Sequence, residues 1–268
     1  MTGAKAAEQA RKPSEQRVVV ALTQRVKQLA DENSELQAFA HALAHDLRAP
    51  LRTIEGFSKL VLASQSSTLD PQATDHLQRV VAAAGRASRL VEDMMSLTWL
   101  ARLDMRFEDV DLGALAHEIA RELGIRYSER EVTFRVDPSL GVRGDAFTLK
   151  VALERMLENA WKFTQPRPTA TVHVGLLLNE ERRVYFIRDN GVGFDMADAA
   201  KLFRPLQRLH AATEFEGNGL GLAIVRRIVE RHSGEVWAHG EIDRGATFFF
   251  TLGGHGPRIE GGGGEQGR

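Results

Sequence analysis

Apolar residues near the start of the chain recur every three or four positions and predict a long amphipathic helix. The a positions of the resulting heptad hold Val26, Asn33, Ala40 and Leu47, and the d positions hold Leu29, Leu36 and Leu43. An Asn at an a position costs stability but fixes the register of two paired helices. The pattern therefore favours the seam of a parallel homodimer, and one long helix packed on its own domain is the alternative.

A second helix with the same spacing follows a polar break at residues 64–70. Pro71 suits the first turn of a helix, and Asp70 suits its N-cap. From Leu77 to Ala101 the apolar positions are again three and four apart. Two such helices joined by a short loop form an antiparallel hairpin, and two hairpins form a four-helix bundle. The sequence thus predicts a dimeric bundle.

After about Leu103 the pattern changes to shorter segments that predict a compact α/β unit. The predicted helices are 111–127, 145–164 and 220–231, and the predicted strands are 132–136, 169–178, 183–188, 236–239 and 247–252. The expected organisation is 1–17 disordered, 18–35 a coiled-coil stub, 36–104 the hairpin, 105–253 the α/β domain and 254–268 a disordered Gly-rich tail.

The amino-acid composition excludes several kinds of catalytic and metal-binding chemistry. The 268 residues are enough for two domains, and the absence of cysteine excludes disulfides, thiolate nucleophiles and cysteine-ligated metals. The 35 Lys and Arg nearly balance the 36 Asp and Glu, which gives no reason to expect nucleic acid or an anionic membrane as the main partner. We find no apolar run near the length of about 20 residues that a membrane-spanning helix needs, and we predict none.

His45 is the first candidate for chemistry. It falls at an f position, facing away from the seam, where a lone histidine is most often a solvated surface residue. Three neighbours change that interpretation: Asp46 could orient or deprotonate the imidazole, Arg48 could meet a phosphate, and Pro50 should kink the helix. His41 is four residues away and could share a metal with His45, but no carboxylate motif accompanies the pair.

Two glycine-rich segments form the second candidate. Gly191 and Gly193 follow a predicted strand, and Gly217, Gly219 and Gly221 lead into a predicted helix. Such segments let a backbone approach a phosphate closely, and a helix N-terminus favours an anion. Either segment could also be an ordinary turn. Neither matches the dinucleotide fingerprint, and the chain has no Gly-Lys dipeptide for a Walker A loop.

A polar helix face is the third candidate. Arg155, Asn159 and Lys162 are spaced at i, i+4 and i+7 and share one face of a predicted helix. The Asn159 carbonyl could ligate Mg²⁺ while Lys162 meets a phosphate. A solvated polar face is the alternative.

Taken in order, these segments resemble the sequence boxes of bacterial sensor histidine kinases. Residues 45–50 resemble the H box, 159–164 the N box, 189–194 the G1 box, 202–210 the F box and 217–222 the G2 box, and 245–248 fit the strand that closes the domain. The resemblance covers about residues 36–252. Five motifs in the family's order are far more specific than any one of them.

The resemblance implies an α+β chain of two domains. Residues 36–104 would form the dimerisation and histidine-phosphotransfer hairpin, and 105–253 an ATP-binding catalytic domain, an α/β sandwich of the GHKL type. The γ-phosphoryl group of ATP would pass to His45 with Mg²⁺ as cofactor, and then to an aspartate of a response-regulator receiver domain. The chain would be a cytoplasmic homodimer that responds to an upstream or separate sensor module.

The resemblance also implies roles for individual residues. Asp189 would accept a hydrogen bond from the adenine amino group, and Asn159 would hold Mg²⁺. The other nucleotide-binding residues implied are Lys162, Gly191, Gly193, Arg208, His210, Gly217, Gly219, Leu220, Gly221 and Thr247, with a mobile lid over about 203–218.

Three residues depart from the family pattern, and one of them, Ala49, stands where members with strong phosphatase activity tend to have Thr or Asn. Arg155 stands where members often carry another Asn, and Leu206 replaces the usual second Phe of the F box. Both support an alternative function, a catalytically weak dimeric scaffold that binds nucleotide. A different ATPase of the same superfamily would not need His45 on a hairpin.

Overall fold

The structure, a computed structural model, describes residues 2–64, 69–100, 102–179, 182–209, 215 and 217–253. Side chains are described from Val20 onward, except at Gln37 and Asn179. The predicted Gly-rich tail at 254–268, the centre of the predicted break at 65–68, and Ala101 lie outside the described residues.

Two helices, α1 (Thr2–Ser64) and α2 (Pro71–Leu100), form the predicted hairpin. The Asp70 carboxylate accepts a hydrogen bond from the Ala73 N–H at 2.7 Å, which confirms Asp70 as the N-cap of α2. Near the open end of the hairpin, Arg102 Nη2 donates to the Ser34 carbonyl at 3.1 Å. No helix among the described residues combines the length and the apolar character needed to cross a membrane.

The first helix differs from the prediction at its N-terminal end. It begins at Thr2, whereas residues 1–17 were expected to be disordered. This segment is rich in Ala, Glu, Gln, Lys and Arg, all of which have high helix propensity, so a lack of apolar residues does not prevent a helix. The helix runs through Pro50 without a break, and the kink expected at this residue stays a prediction.

The second part of the chain is an α/β sandwich built on a five-stranded sheet. Its elements are β1 (Glu108–Asp111), α3 (Leu112–Arg126), β2 (Val132–Val136), β3 (Gly141–Gly144), α4 (Ala146–Phe163), β4 (Ala170–Asn179), β5 (Arg182–Asp189), a 3-10 helix (Met196–Lys201), α5 (Gly221–Arg231), β6 (Val236–Glu241) and β7 (Gly245–Phe250). The strand order is β2-β4-β5-β7-β6, with β2 and β4 parallel and the other pairs antiparallel. β1 and β3 form a separate antiparallel pair.

Helix α4 is the centre of the core. Its buried residues repeat every three or four positions and include Leu149, Leu153, Met156, Leu157 and Trp161. They pack with α3, α5 and one face of the sheet in a single apolar cluster. Asp111 and Asp145 cap α3 and α4 with their side chains.

The predicted helices and strands of this domain are all present, but three short elements were not predicted. β1 and β3 have four residues each, and the 3-10 helix has six, so none is long enough to show a clear period in the sequence. The domain boundary expected near residue 104 falls between the end of α2 and the start of β1.

Candidate functional site

A cavity of about 400 Å³ lies where α4, the sheet and the segment before α5 meet helix α2 of the hairpin. This volume is in the range of ligand pockets for small molecules. Of the residues predicted to bind nucleotide, eight line it: Asn159, Lys162, Asp189, Gly193, Arg208, Gly217, Gly219 and Gly221. Residues from four of the sequence boxes therefore form one site.

Asp189 is the buried carboxylate of this cavity. It ends β5, is 5% exposed, and accepts a hydrogen bond from the Gly191 N–H at 2.8 Å. Burial raises the pKa of its carboxyl group from the ordinary 3.8 to about 6, although backbone hydrogen bonds from Gly191 and Ala246 oppose the shift. A carboxylate in this position can bind an amino group of a ligand, since little water is present to compete.

Asn159 and Lys162 lie side by side on the α4 wall. Lys162 Nζ donates to Asn159 Oδ1 at 3.1 Å and stands 4.3 Å from the centroid of the Phe163 ring. The pair offers one cation and one amide oxygen to the cavity. This is the juxtaposition that their three-residue spacing predicted.

Two glycines in the glycine-rich turns have a positive φ and lie against the backbone of another segment. Gly193 has φ +63°, and a Cβ atom there would collide with the Glu241 carbonyl. Gly219 has φ +72°, and a Cβ atom would lie 2.6 Å from the Gln207 carbonyl oxygen. Only glycine fits both requirements at either position. Gly191 supports the site from behind the cavity lining through its N–H bond to Asp189.

The N-terminus of α5 faces the same cavity. The helix starts at Gly221, and among the described residues its N-cap, Leu220, makes no side-chain hydrogen bond to the first N–H groups. Gly219, Gly221 and Leu222 line the cavity, whereas the buried Leu220 packs behind them. An uncapped helix N-terminus is a favourable place for a phosphate.

The predicted lid is described only in part. Arg208 lines the cavity, and its Nη2 donates to the Phe215 carbonyl at 2.6 Å. The Phe215 ring meets the Phe163 ring edge-on, with centroids 5.0 Å apart. His210, predicted to neutralise phosphate charge, lies outside the described residues.

Thr247 is the one predicted site residue that the sheet turns away from the cavity. Its neighbours Ala246 and Phe248 line the cavity, and alternate residues of a strand point to opposite faces. Thr247 therefore faces the other side of the sheet, where its Oγ1 accepts a hydrogen bond from Arg188 Nε at 3.2 Å. The motif matches, but its inward-facing residue is Ala246.

The hairpin contributes residues that the sequence motifs did not indicate. Arg86, Arg89 and Asp93 on α2 line the cavity. Asp93 is 5% exposed and joins both domains, because its Oδ1 lies 2.6 Å from Arg155 Nη2 and its Oδ2 accepts from Asn218 Nδ2 at 2.6 Å. No local signal could have found these contacts, since they depend on how the two domains meet.

His45 lies on the outer surface of α1, as its f position predicted, with 72% of its side chain exposed. Its Nδ1 is 3.3 Å from Asp46 Oδ1. A carboxylate only accepts, so in a neutral imidazole this contact favours the tautomer with the proton on Nδ1 and the lone pair on Nε2. The guanidinium of Arg48, which the sequence suggested could meet a phosphate, turns into the hairpin and contacts the Met95 sulfur.

The structure gives no support to a metal site at His41 and His45. Within the described part of the chain, no three or more His, Asp and Glu side chains cluster in a way that could hold a metal ion. A Mg²⁺ ion held mainly by phosphate oxygens needs no such cluster, and the Asn159 amide oxygen fits it as a protein ligand.

Comparison with known proteins defines the class. The family model for histidine kinase-, DNA gyrase B- and HSP90-like ATPases matches residues 144–254. The model for the His Kinase A (phospho-acceptor) domain matches residues 35–102. The chain thus belongs to the sensor histidine kinases, with a phosphoacceptor hairpin followed by an ATPase-type α/β domain.

Individual relatives agree with this class. The methanogenesis regulatory histidine kinase FilI of Methanothrix harundinacea is 32% identical over 238 residues, 86% of this chain and 26% of FilI. The adaptive-response sensory kinase SasA of Prochlorococcus marinus is 32% identical over 246 residues, 87% of this chain and 63% of SasA. Cyanobacterial phytochrome B of Nostoc sp. is 30% identical, and the match covers 84% of this chain and 30% of the phytochrome. The chain therefore spans less than two thirds of the length of each of these relatives.

Solved structures share the fold. Full-length ShkA in complex with AMPPNP has a TM-score of 0.62 at 24% identity, covering 83% of this chain and 46% of ShkA. Histidine kinase AdeS of Acinetobacter baumannii has a TM-score of 0.55 at 21% identity, covering 78% of this chain and 96% of AdeS.

Proposed function

We propose that this chain is an ATP-dependent protein-histidine kinase of a two-component system. The γ-phosphoryl group of ATP would be transferred to His45 and then to an aspartate of a response-regulator receiver domain. The observation that carries the proposal is the combination, in one chain, of an exposed histidine beside a carboxylate and a cavity lined by the family's nucleotide motifs.

ATP would lie with its base at Asp189 and its phosphates along α4. The ionised Asp189 carboxylate accepts a hydrogen bond from the adenine amino group, and Gly193 lets the chain pass close to the base. Lys162, Arg208 and the N-terminus of α5 then face the phosphates. Positioning and charge neutralisation of this kind supply most of the catalysis in phosphoryl transfer.

Asn159 is the residue that would hold Mg²⁺, through its amide oxygen. When bound, the ion would neutralise phosphate charge. Arg155, at the position where family members often carry another Asn, is paired with Asp93 and supplies no oxygen ligand. We therefore assign one protein side chain on this helix face to the metal.

At His45 the reaction needs a neutral imidazole with a free lone pair. Nε2 attacks the γ-phosphorus, the bond from that phosphorus to the β–γ bridging oxygen breaks, and ADP leaves. The imidazole ring becomes positively charged as the N–P bond forms, and the Asp46 carboxylate at Nδ1 stabilises that charge. In the second step an aspartate oxygen of the receiver domain takes the phosphoryl group and His45 becomes neutral again.

The exposed face of α1 supports a homodimer. Large apolar side chains at a and d positions stay uncovered in the single chain, namely Leu36, Leu43, Leu47, Ile54, Phe57 and Val61. The neighbouring face of α1, around the buried Ala44 and Ser58, packs on α2. A second hairpin placed on the uncovered face would complete a four-helix bundle. We place this dimer in the cytoplasm, with an upstream or separate sensor module acting through the coiled-coil stub.

The test is phosphorylation with γ-labelled ATP and Mg²⁺. We expect a protein-bound label that is stable in base and labile in acid, as a phosphohistidine is, and that is lost in His45→Gln. His41→Gln, an exposed histidine one turn away on the same helix, is the matched control and should keep the label.

Two other outcomes have definite meanings. A label that persists in His45→Gln would place the phosphoacceptor elsewhere and contradict the proposal. Absence of label under all conditions, with nucleotide still bound, would favour the dimeric nucleotide-binding scaffold.

The second step has its own test, which is transfer of the label from the labelled protein to a receiver domain. We expect this transfer to be abolished when the receiver's aspartate is replaced.

A further inference from the structure

The cavity is elongated, and different charged side chains line its two ends. Asp189 marks one end, where the turn after β5 meets the last residues of α4 through a hydrogen bond from the Val192 N–H to the Phe163 carbonyl at 3.1 Å. Arg155 marks the other end, eight residues earlier on α4 and so about 12 Å away along the helix. This second end opens against α2 of the hairpin.

The hairpin end of the cavity is rich in cations. Arg86, Arg89 and Asp93 share one face of α2 at a spacing of three and four residues, and Arg155 meets them from α4. Asp93 is the carboxylate among these arginines. A nucleotide with its base at Asp189 would direct its phosphate tail toward this end.

The contacts of Asp93 resemble those of a bound phosphate. One carboxylate oxygen lies 2.6 Å from Arg155 Nη2, and the other accepts a hydrogen bond from Asn218 Nδ2 at 2.6 Å. Asn218 in turn accepts a hydrogen bond from the Leu220 N–H at 3.1 Å, just before the uncapped start of α5. Both donors would serve equally well for phosphate oxygens.

We propose that Arg155 and Asn218 form the binding site for the terminal phosphate of ATP, and that the hairpin residue Asp93 competes with that phosphate for them. The inference rests on the proposed function, because it needs a nucleotide with its base at Asp189. Arg155 also lies 3.6 Å from Glu158 Oε2, but Glu158 shares its charge with Arg126 at 3.0 Å. Asp93 is thus the main competitor for Arg155.

The Asp93 contacts lie at nearly the same height along the hairpin as His45. Arg48 lies one turn beyond His45 on α1 and contacts Met95, which is two residues from Asp93 on α2. The proposed site for the terminal phosphate therefore lies at nearly the same level of the bundle as His45, which receives that phosphate. Binding of ATP would release the ATPase-type domain from α2, whereas ADP, which lacks the third phosphate, would leave the Asp93 contacts in place.

The experiment measures the affinities of the full chain for AMPPNP and for ADP, each with Mg²⁺, by calorimetry. Asp93→Asn removes the competing charge, and we expect AMPPNP to bind about tenfold more tightly and ADP to change by less than about twofold. Arg155→Met should weaken AMPPNP binding by about tenfold and spare ADP. Glu92→Gln removes the same charge from the neighbouring, exposed residue of α2 and should change neither affinity.

The double variant Asp93→Asn with Arg155→Met decides whether the two residues act on each other. The gain from Asp93→Asn should be smaller when Arg155 is absent, because only the competition at Asn218 then remains. A gain of the same size in the double variant, or equal changes for AMPPNP and ADP, would overturn the inference. Should Asp93→Asn not fold, Arg155→Met still tests it, since equal weakening of both nucleotides contradicts a terminal-phosphate site. Failure of the unmodified chain to bind either nucleotide would instead refute the proposed function.

Discussion

At the scale of single residues, the site depends on a carboxylate held in an unfavourable environment. Asp189 is buried at the end of β5, and burial raises the pKa of its carboxyl group to about 6. The ionised form is therefore destabilised in the folded protein compared with water. A ligand amino group that donates a hydrogen bond to this carboxylate restores part of the lost solvation.

Nucleotide binding should therefore depend on pH through Asp189. Adenine stabilises the ionised carboxylate and lowers its pKa, so affinity should be highest well above pH 6 and should fall as the pH falls through about 6. Near pH 6 the binding of one ADP should release about half a proton from this group. Calorimetry in two buffers with different protonation enthalpies measures that release.

The control is Asp189→Asn, which removes the titrating group. Phosphate groups of ADP also take up protons near this pH, and the difference between the two proteins isolates the contribution of Asp189. Identical proton release in both proteins would refute the assigned contact between Asp189 and adenine.

At the scale of elements, helix α1 has two apolar faces with different partners. One packs on α2 within the hairpin, around the buried Ala44, and the other is the a and d seam that stays exposed in the single chain. In the proposed homodimer, only the second face would depend on another copy of the protein.

Leu36→Asp places a charge in that seam and should weaken the dimer by about 100-fold, because a large apolar contact is lost and a carboxylate is buried in each helix. Leu36 is 69% exposed in the single chain, so folding of the hairpin itself should be little affected. Sedimentation equilibrium over a concentration series measures the dissociation constant. Ala38→Asp, at an outward f position two residues away, should leave it unchanged. If both variants shift it equally, the seam lies on another face.

The elements also show what could be predicted from sequence. Helices α2 and α4 have long periodic patterns and capping residues, and their starts were predicted at Asp70 and Asp145. Strands β1 and β3 are too short to carry such a pattern. Thr247 was assigned to the site because its motif matched, but the alternation of side chains along β7 turns it away.

At the scale of the whole molecule, the site extends beyond what any motif could indicate, because part of its wall belongs to the other domain. Asp93 lies in the second helix of the hairpin and meets Arg155 and Asn218 only when the ATPase-type domain lies on α2. Phosphoryl transfer also requires the cavity and His45 to meet. In the proposed kinase, the contacts between the two domains would therefore affect phosphoryl transfer.

Arg231, the last residue of α5, links the ATPase-type domain by hydrogen bonds to the connection between the domains. Its guanidinium binds the Leu100 carbonyl at the end of α2 and donates to the Leu103 carbonyl at 2.6 Å. Satisfying carbonyl groups at a helix C-terminus with a cation stabilises that end of the helix. The amides of Arg102 and Leu103 just beyond it bind the Trp99 carbonyl at 2.9 and 3.1 Å and would be the first to open.

Arg231→Met should consequently speed hydrogen exchange at the amides of Arg102 and Leu103 by about tenfold or more, since a hydrogen bond to a charged group contributes roughly 1.5–3 kcal/mol. Exchange in the buried core of α4 should be unchanged, because Arg231 contacts the connection and not that core. Arg226→Met removes a cation from the same helix that pairs only locally with Glu230 at 2.7 Å, and it should leave both regions as they were. The Trp99 and Phe147 rings also pack together beside the connection, with centroids 5.3 Å apart. Equal exchange rates in the unmodified protein and both variants would mean that this packing, and not Arg231, holds the connection.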